Sequence, residues 1–295
     1  MNQLTLAIGF GLVTSAILAL GAVGFTLQFG VSNILNLAYG DVMTVSAFMA
    51  YLVNAGGAGI WLAMCAGAAT GAVVSVLIST LIFTPFLRRG TSRFAMVMVS
   101  LALAVILQNA IQAVAGPAFR SYSRSQGTSL HLLGMILTPY QLEIIGVAAA
   151  SMLALHLLLR YTRIGKALRA TAADAELARS CGIATERVSA LAWAISGALC
   201  GLAGVILVMN VTAFTDTTGA QFLIPIVAVA VLGGIGQPYG AMLGALVIGI
   251  ASEVAAAIFN PEYKDVVAFV ILVIVLLARP QGILSEVATR KEVAA

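Results

Sequence analysis

The chain has 295 residues, of which 61% are hydrophobic and only 9% are charged. Its mean hydropathy of +1.06 excludes a soluble globular protein, because a soluble domain of this length cannot keep so much apolar surface out of water. The net charge of +4 does not require a nucleic-acid partner, because basic residues are expected beside membrane spans in any case.

Nine apolar segments are candidates for membrane-spanning helices, which need about 20 residues to cross the hydrocarbon core. In chain order they are residues 4–29, 34–53, 60–83, 94–115, 140–159, 188–209, 221–232, 239–258 and 266–278. The seventh and ninth are short, and polar residues at Asn36 and at Tyr39, Gly40 and Asp41 interrupt the second. The sequence therefore predicts an all-α, polytopic transmembrane helix bundle of eight or nine spans, forming a single domain over residues 1–295.

The basic residues orient these spans. Twelve of the 15 Lys and Arg residues fall in three groups, at residues 88–93, 160–187 and 279–291, and one topology places all three groups in the cytoplasm. Only Arg120, Arg124 and Lys264 then lie outside. The positive-inside bias therefore predicts a cytoplasmic C-terminus and an external N-terminus. No Lys or Arg precedes Arg88, so the first segment lacks the basic region of a signal peptide and we expect a retained span.

Small residues recur at the spacing that brings helices together. Glycine pairs four residues apart occur at Gly67 and Gly71, at Gly197 and Gly201, and at Gly240 and Gly244. Such faces let helix backbones approach closely. Among 29 glycines a single pair can arise by chance, but the three together predict a tightly packed bundle.

The loop at residues 160–187 concentrates charge in a chain that has little elsewhere. It holds six of the 15 basic residues and also the acids Asp174 and Glu176. Residues 165–181 have good helix propensity, Gly182 is placed to end that helix, and Thr185 is placed to cap the next one. We expect the loop to present a compact helix to a soluble partner; the alternative is a solvated basic loop that only fixes topology.

Several motifs resemble those of one protein family. Residues 176–182, E-L-A-R-S-C-G, resemble the E-x-A-x-x-x-G coupling motif of bacterial ABC-importer permeases. The run T-R-I-G-K-A-L-R-A before it resembles the branched-chain amino-acid permease family, in its shorter subunit type. Three further segments resemble motifs of that family in the expected order: I-L-N-L-A-Y-G-D at 34–41, L-G-G-I-G-Q-P-Y-G at 232–240, and A-R-P-Q-G at 278–282.

The resemblance implies the membrane domain of an ABC importer in the bacterial inner membrane, with its N-terminus in the periplasm. Such a permease forms the translocation path with a second permease subunit, identical or homologous, within the membrane lipid. Two ATPase subunits bind ATP-Mg and dock on the cytoplasmic loop, and a periplasmic binding protein delivers the substrate. The chain itself contains no G-x-x-x-x-G-K-[ST] phosphate-binding loop, so we expect neither a cofactor nor an enzymatic activity in it.

The resemblance indicates the residues that couple to the ATPase, and polar groups within apolar spans indicate a candidate substrate path. Those expected to couple to the ATPase are Arg163, Gly165, Arg169, Glu176, Ala178 and Gly182. Those on the candidate substrate path are Asn36, Tyr39, Gly40, Asp41 and Glu253. The family is expected to carry branched-chain or related amino acids, although similar permeases serve urea, amides and aromatic acids.

Polar groups inside spans are costly and are therefore candidates for a transport pathway. Gly40 permits a break in the second span, and a broken helix exposes backbone groups that bind polar ligands. Asp41 can accept a hydrogen bond from a substrate ammonium group, or alternatively can cap the span at the cytoplasmic surface. The family has His and Glu where this chain has Tyr39 and Asp41, which removes a titratable histidine.

Glu253 is predicted to be the most clearly buried acid, with Asn109 or Gln108 of another span as its hydrogen-bond partner. Ion coupling through Asp41 and Glu253 is the alternative, and it corresponds to a secondary transporter of a small polar solute; a passive channel is a third possibility. The two histidines and three cysteines are too scattered for a metal site. Trp61 and Trp193 are predicted to lie at the membrane interface.

Overall fold

The computed structural model describes residues 3–116, 118–122, 130–132, 135–211, 213–260, 263–278 and 282. Its helices up to the first charged loop are α1 (Gln3–Ser32), α2 (Tyr39–Ala55), α3 (Ile60–Leu77), which continues through a π-helical turn (Ile78–Phe83) into α4 (Thr84–Arg88), and α5 (Arg93–Ala115). Strands β1 (Leu130–Leu132) and β2 (Met135–Leu137) form an antiparallel hairpin that the sequence analysis did not predict. The remaining helices are α6 (Pro139–Tyr161), α7 (Arg163–Ala173), α8 (Ala175–Ser180), α9 (Thr185–Asn210), α10 (Thr218–Gly233), α11 (Pro238–Ile258) and α12 (Lys264–Ala278).

The described helices confirm the predicted all-α membrane bundle. Six apolar helical runs are long enough to cross a membrane. The three predicted spans that were short or interrupted correspond to α2, α10 and α12, which have 17, 16 and 15 residues. At 1.5 Å per residue these helices are about 22–26 Å long, less than the ~30 Å of the hydrocarbon core.

The bundle has two ends, which we call the coupling end and the distal end. The coupling end carries α7 and α8, and there Arg88 contacts Glu186 at the start of α9. His156, near the end of α6, contacts Tyr239 at the start of α11 on the same side. Of the described basic residues, Arg120 and Lys264 alone follow the opposite ends of spans. The charge asymmetry that was predicted from the sequence therefore separates the two ends of the described bundle.

Glycine contacts bring the central helices together. A Cβ atom on Gly71 would overlap the carbonyl of Gly197, and a Cβ atom on Gly201 would overlap the carbonyl of Gly67, where α3 crosses α9. A Cβ atom on Gly240 would likewise overlap Gly233 between α11 and α10. The predicted glycine pairs are confirmed as sites of close backbone approach, which small residues alone permit.

The helices form an inverted structural repeat that the sequence analysis did not detect. In each half a long helix of 30 or 26 residues is followed by a break in the helix and then by a short helix of 17 or 16 residues. The halves are α1 to α3 and α9 to α11. Helix α1 packs mainly on α11, and α9 mainly on α3. Because α1 runs toward the coupling end and α9 away from it, the two halves have opposite directions in the membrane.

Both breaks lie inside the bundle. Residues 33–36 are not helical, with Asn33 at a φ of +54°, a turn follows, and α2 begins only at Tyr39, so the second span does not start at residue 34 as predicted. The Tyr39 carbonyl accepts a hydrogen bond from Sγ of Cys200 at 3.3 Å, and Cys200 lies about 20 Å along α9 from its start. The second break ends at Thr218, where α10 begins beside α2. Two half-helices therefore start within the membrane interior.

The two tryptophans have different surroundings. Trp61 is exposed at the start of α3, as expected of an interfacial anchor. Trp193 is buried, and its ring packs on that of Phe83 with the centroids 5.2 Å apart. The prediction for Trp193 was wrong because the π-helical turn brings Phe83 against α9, which places the indole in the core.

Candidate coupling surface and translocation site

Helix α7 packs against the bundle through three residues and leaves its basic side chains exposed. Thr162 caps it by accepting a hydrogen bond from the Gly165 amide at 3.0 Å. Gly165, Leu168 and Thr171 form its buried face. A Cβ atom on Gly165 would overlap the carbonyls at the end of α6, so glycine allows the chain to turn tightly there. Gly165 therefore positions α7 rather than presenting a surface to a partner.

Asp174 divides the predicted coupling helix in two. It has an extended backbone, and its Oδ1 accepts hydrogen bonds from the amides of Glu176 and Leu177, both at 2.9 Å. A short side-chain acceptor favours this N-cap geometry over a helix interior. The prediction of one continuous helix over residues 165–181 was wrong for this reason.

Helix α8 ends as the sequence predicts. Gly182 has a φ of +84°, and its amide donates to the carbonyl of Arg179 while the amide of Ile183 donates to that of Ala178, each at 3.0 Å. These two bonds define a Schellman motif, which requires the left-handed conformation that glycine adopts most easily. Ala178 is buried, so it anchors α8 to the bundle.

We call four of the exposed side chains on α7 and α8 the coupling surface: Arg163, Arg169, Glu176 and Leu177. Leu177 is 62% exposed and was not among the predicted site residues. The sequence contains an indication of this exposure. On a helix, Leu168, Ala172 and Ala175 would share one apolar face, and Leu177 would lie outside that face. Glu176 precedes it and Arg179 follows two residues later, so the exposed face of α8 combines an apolar side chain with charged ones.

Two polar contacts join α8 and α4 to the start of α9 at the coupling end. Thr185 is the first residue of α9 and does not cap it, which contradicts the prediction; its Oγ1 accepts instead from the Arg179 guanidinium, with Nε at 3.4 Å and Nη2 at 3.3 Å. Arg88 contacts both carboxylate oxygens of Glu186, at 3.1 and 3.2 Å. Both partners of that ion pair are exposed, so its stabilisation is small.

The first break is held by local and tertiary hydrogen bonds. Asn36 is buried, and its Oδ1 accepts from the Ala38 amide at 3.1 Å. Ser100 of α5 donates to the carbonyl of Leu35 and accepts from the amide of Leu37, both at 3.2 Å. These bonds replace the helical bonds that the break removes, as a buried backbone requires. Asn36 thus shapes the turn that begins α2.

Tyr39 and Gly40, at the start of α2, contact α1 in one half of the repeat and α10 in the other. The Tyr39 hydroxyl donates to the carbonyl of Gly21 at 3.0 Å, and its ring packs edge-on against Phe25 with centroids 5.5 Å apart. Gly40 lies directly against Gly219, and a Cβ atom on either would overlap the other residue's carbonyl. The Gly219 amide donates to Thr44 Oγ1 at 3.1 Å, so α2 supplies a cap to α10.

Asp41 lies in the first turn of α2 and is only 2% exposed. Its Oδ1 has no hydrogen-bond partner among the described residues, and the same holds for Nε2 of the buried Gln28. Gln28 uses its Oε1 to accept from Ser196 Oγ at 3.1 Å. A surface cap, one of the two predicted roles of Asp41, is therefore excluded: the carboxylate is inside the bundle with an unused acceptor.

Glu253 lies apart from this group, and its predicted environment was wrong. Its Oε1 accepts from Lys264 Nζ at 2.7 Å and from Thr14 Oγ1 at 2.8 Å, toward the distal end. Asn109 instead donates to the carbonyl of Val105, one turn back along α5. Glu253 is also less buried than Asp41. Of the five path candidates, the structure therefore brings together Asn36, Tyr39, Gly40 and Asp41 but not Glu253.

A small cavity lies where the two half-helices meet α9. Its volume is about 10 Å³, enough for about one water molecule. Its walls are mostly apolar, and the residues that line it are Met43, Thr44, Ala47, Gly204, Leu207, Val208, Phe214, Thr218 and Gly219. The sequence analysis did not identify this cavity.

The described part of the chain contains no group of three or more His, Cys, Asp or Glu residues arranged to hold a metal ion. Its cysteines are free: Cys65 and Cys181 are exposed and Cys200 is buried. The A-R-P-Q-G motif at 278–282 lies largely outside the described residues, as do Arg124, Arg290 and Lys291.

Comparisons with known proteins agree with this architecture. The family model described as branched-chain amino acid transport system / permease component matches residues 7–276. The high-affinity branched-chain amino acid transport system permease protein LivH of Escherichia coli (strain K12) is 33% identical over 288 residues, covering 93% of each chain. The protein BraD of Pseudomonas aeruginosa, described in the same words, is 32% identical over 289 residues, again covering 93% of each.

A similar fold occurs in a solved structure, PsaBC from Streptococcus pneumoniae in complex with Fab. The TM-score is 0.51 with 16% sequence identity, and the match covers 92% of this chain and 91% of that one. At this identity the likeness concerns the fold alone.

Proposed function

The chain belongs to the family of branched-chain amino acid transport system permease components, and from this premise we propose that it is the permease subunit of an ATP-driven ABC importer for branched-chain or related amino acids. It is a multi-pass membrane protein. Its relatives carry that transport function in their names over nearly the whole length of the chain. The permease forms the translocation path, and ATP hydrolysis belongs to separate subunits.

The coupling surface is the observation that carries the proposal. Leu177 is exposed on a short helix whose two ends are held in place, by the Asp174 cap and by the Gly182 motif. A partner that docks there would cover Leu177, and removing apolar area from water contributes favourably to binding. Because the chain has no phosphate-binding loop, the partner that fits is an ATPase with ATP-Mg bound.

The contacts of α7 supply a route from that surface to the membrane interior. Helix α7 packs against both α1 and α9, the long helices that precede the two breaks. We expect closure of the ATPases to shift α7 and α8 and thereby the relative position of α2 and α10. In this assembly a second permease subunit completes the path and a periplasmic binding protein delivers substrate. The coupling end is cytoplasmic, which places the end of α12 inside and the start of α1 in the periplasm.

Asp41 is the residue that we assign to the substrate. A zwitterionic amino acid needs an acceptor for its ammonium group, and Asp41 has a free carboxylate oxygen beside a half-helix start. Burying a carboxylate oxygen without a hydrogen-bond partner costs free energy. Separation of α2 from α10 is therefore favoured when the ammonium group of a substrate can reach Asp41. Glu253 has a structural ion pair with Lys264 instead.

Ion-coupled secondary transport is the main competing function. It requires acids that exchange a cation, but Glu253 is already paired at 2.7 Å with Lys264, and the relatives are components of transport systems with several subunits. The deciding experiment is reconstitution in liposomes, with and without candidate ATPase subunits and a candidate periplasmic binding protein from the same organism. We expect uptake only with both partners and ATP.

Variants sharpen this experiment. Gly182→Asp, which strains the left-handed turn, and Glu176→Lys, which reverses a charge on the coupling surface, are expected to abolish uptake while the protein still inserts. Normal transport in both variants refutes the coupling role. Uptake by the permease alone, driven by an ion gradient, establishes the secondary transporter, and equilibration without accumulation establishes a channel.

A further inference from the structure

Phe214 lies in the second break, just before α10, and is fully buried although it belongs to a loop. Three aromatic rings surround it. Its centroid is 4.8 Å from that of Phe48, 5.9 Å from that of Tyr122 and 6.2 Å from that of Tyr51. Aromatic contacts at these distances are favourable beyond the area they bury. We call this group the aromatic box.

The segment at residues 118–122 crosses over the aromatic box at the distal end. Arg120 and Phe214 exchange backbone hydrogen bonds, of 3.1 Å from the Arg120 amide and 2.9 Å from the Phe214 amide. The Arg120 guanidinium lies 5.3 Å above the Tyr51 ring and donates to the Ala115 carbonyl. This segment, which we call the strap, holds Phe214 through main-chain bonds and Tyr51 through a cation–π contact.

Tyr122 closes the other side of the box. Burial raises the pKa of its hydroxyl above the usual range, so the group stays protonated and donates to the carbonyl of Ala47 at 3.0 Å. Ala47 also lines the small cavity beneath Phe214. Phe214 therefore belongs both to the aromatic box and to the wall of that cavity.

The cavity has the chemistry of an aliphatic subsite. Met43, Leu207 and Val208 supply apolar walls, and Thr44 and Thr218 supply hydroxyl groups at the half-helix starts. Its volume of about 10 Å³ is too small for a branched side chain. For comparison, an engineered apolar core cavity of roughly 150 Å³ stays dry and binds benzene. Withdrawal of the Phe214 ring would provide space of that order.

We propose that Phe214 is a movable plug, and that the pocket beneath it receives the aliphatic side chain of the transported amino acid. This proposal rests on the proposed function for the identity of the substrate. It adds a specificity site at the junction of α2, α9 and α10, one turn from Asp41 along α2. The two sites together would hold the apolar and the charged parts of one amino acid.

Thiol labelling tests the plug without requiring transport. Cys65 and Cys181, the exposed cysteines, are replaced by alanine, and Ala47, which is 2% exposed, is replaced by cysteine. A membrane-impermeant methanethiosulfonate reagent is then applied from the distal side of proteoliposomes. Phe214→Ala is expected to raise the labelling rate at least tenfold. Phe119→Ala, a matched change at an exposed phenylalanine within the strap, is expected to leave the rate unchanged.

Ligand protection tests the occupant. In the Phe214→Ala protein, leucine is expected to slow labelling at least threefold more than alanine at the same concentration. If Phe214→Ala unfolds the protein, Phe214→Leu supplies a smaller opening and the same comparison. A labelling rate that Phe214 variants do not change overturns the plug, and equal protection by leucine and alanine overturns the aliphatic subsite. Neither result depends on ATP-driven uptake, whose absence in the reconstitution refutes the proposed function separately.

Discussion

Truncation of Leu177 to alanine is expected to weaken the binding of the partner ATPase to the permease. Full burial of a leucine side chain is worth about 1.5–3 kcal/mol. Leu177 is 62% exposed in the unpartnered chain, so covering the exposed part contributes about 1–2 kcal/mol. That corresponds to a loss of affinity of roughly 5- to 30-fold.

The measurement is a titration of the purified ATPase onto the permease in lipid nanodiscs, followed by ATP-driven uptake in liposomes. The fold should not change, because the side chain of Leu177 is mostly outside the core. Leu153→Ala is the matched control: this leucine is 59% exposed on α6, along the flank of the bundle. An equal affinity for the two variants would refute the assignment of Leu177 to the ATPase contact.

Three further variants test other parts of the structure. Gly71→Leu places a side chain against the Gly197 backbone and should destabilise the bundle by about 1–3 kcal/mol or more in thermal unfolding, whereas Gly146→Ala, which meets no atom within 4 Å, should be neutral or slightly stabilising. Asp41→Asn removes a buried charge and should abolish uptake without loss of thermal stability; normal uptake would exclude Asp41 from substrate binding. Glu253→Gln should preserve uptake, and a double-mutant cycle with Lys264→Met should give a coupling energy of about 0.5–1 kcal/mol, because the lysine is partly exposed. Loss of ATP-dependent transport in Glu253→Gln would contradict its structural role.

Sequence patterns predicted the spans well where a single apolar segment was long enough to cross the membrane. The long apolar segments all correspond to long helices, and the three uncertain ones are the short helices. The glycine pairs identified close helix contacts because only the absence of a side chain is needed for backbone approach. The inverted repeat was missed because it preserves the lengths and directions of helices rather than the identity of residues.

The candidate site was predicted less completely. The stretch from Asn36 to Asp41 was recognised because it contains polar residues within an apolar segment. The depth of Asp41 in the bundle could not be predicted, because it depends on where the chain turns back into the membrane after α1. Glu253 was assigned to the wrong partners, since its contacts with Thr14 and Lys264 join three helices. The break at Asp174 was missed because an aspartate in an alanine-rich run tolerates either a helix interior or an N-cap.

The sequence by itself determined which segments enter the membrane, which end of the bundle carries the charged loop, and where α8 stops. Each of these depends on the transfer energy of a segment or on the backbone preference of a single residue, such as Gly182. Only the tertiary structure decided that two half-helices start beside each other and that Oδ1 of Asp41 lies in the interior without a hydrogen-bond partner among the described residues. It also placed Phe214 in an aromatic box. These features arise from contacts between residues far apart in the chain, as between Tyr39 and Cys200, and such contacts follow from packing rather than from local pattern.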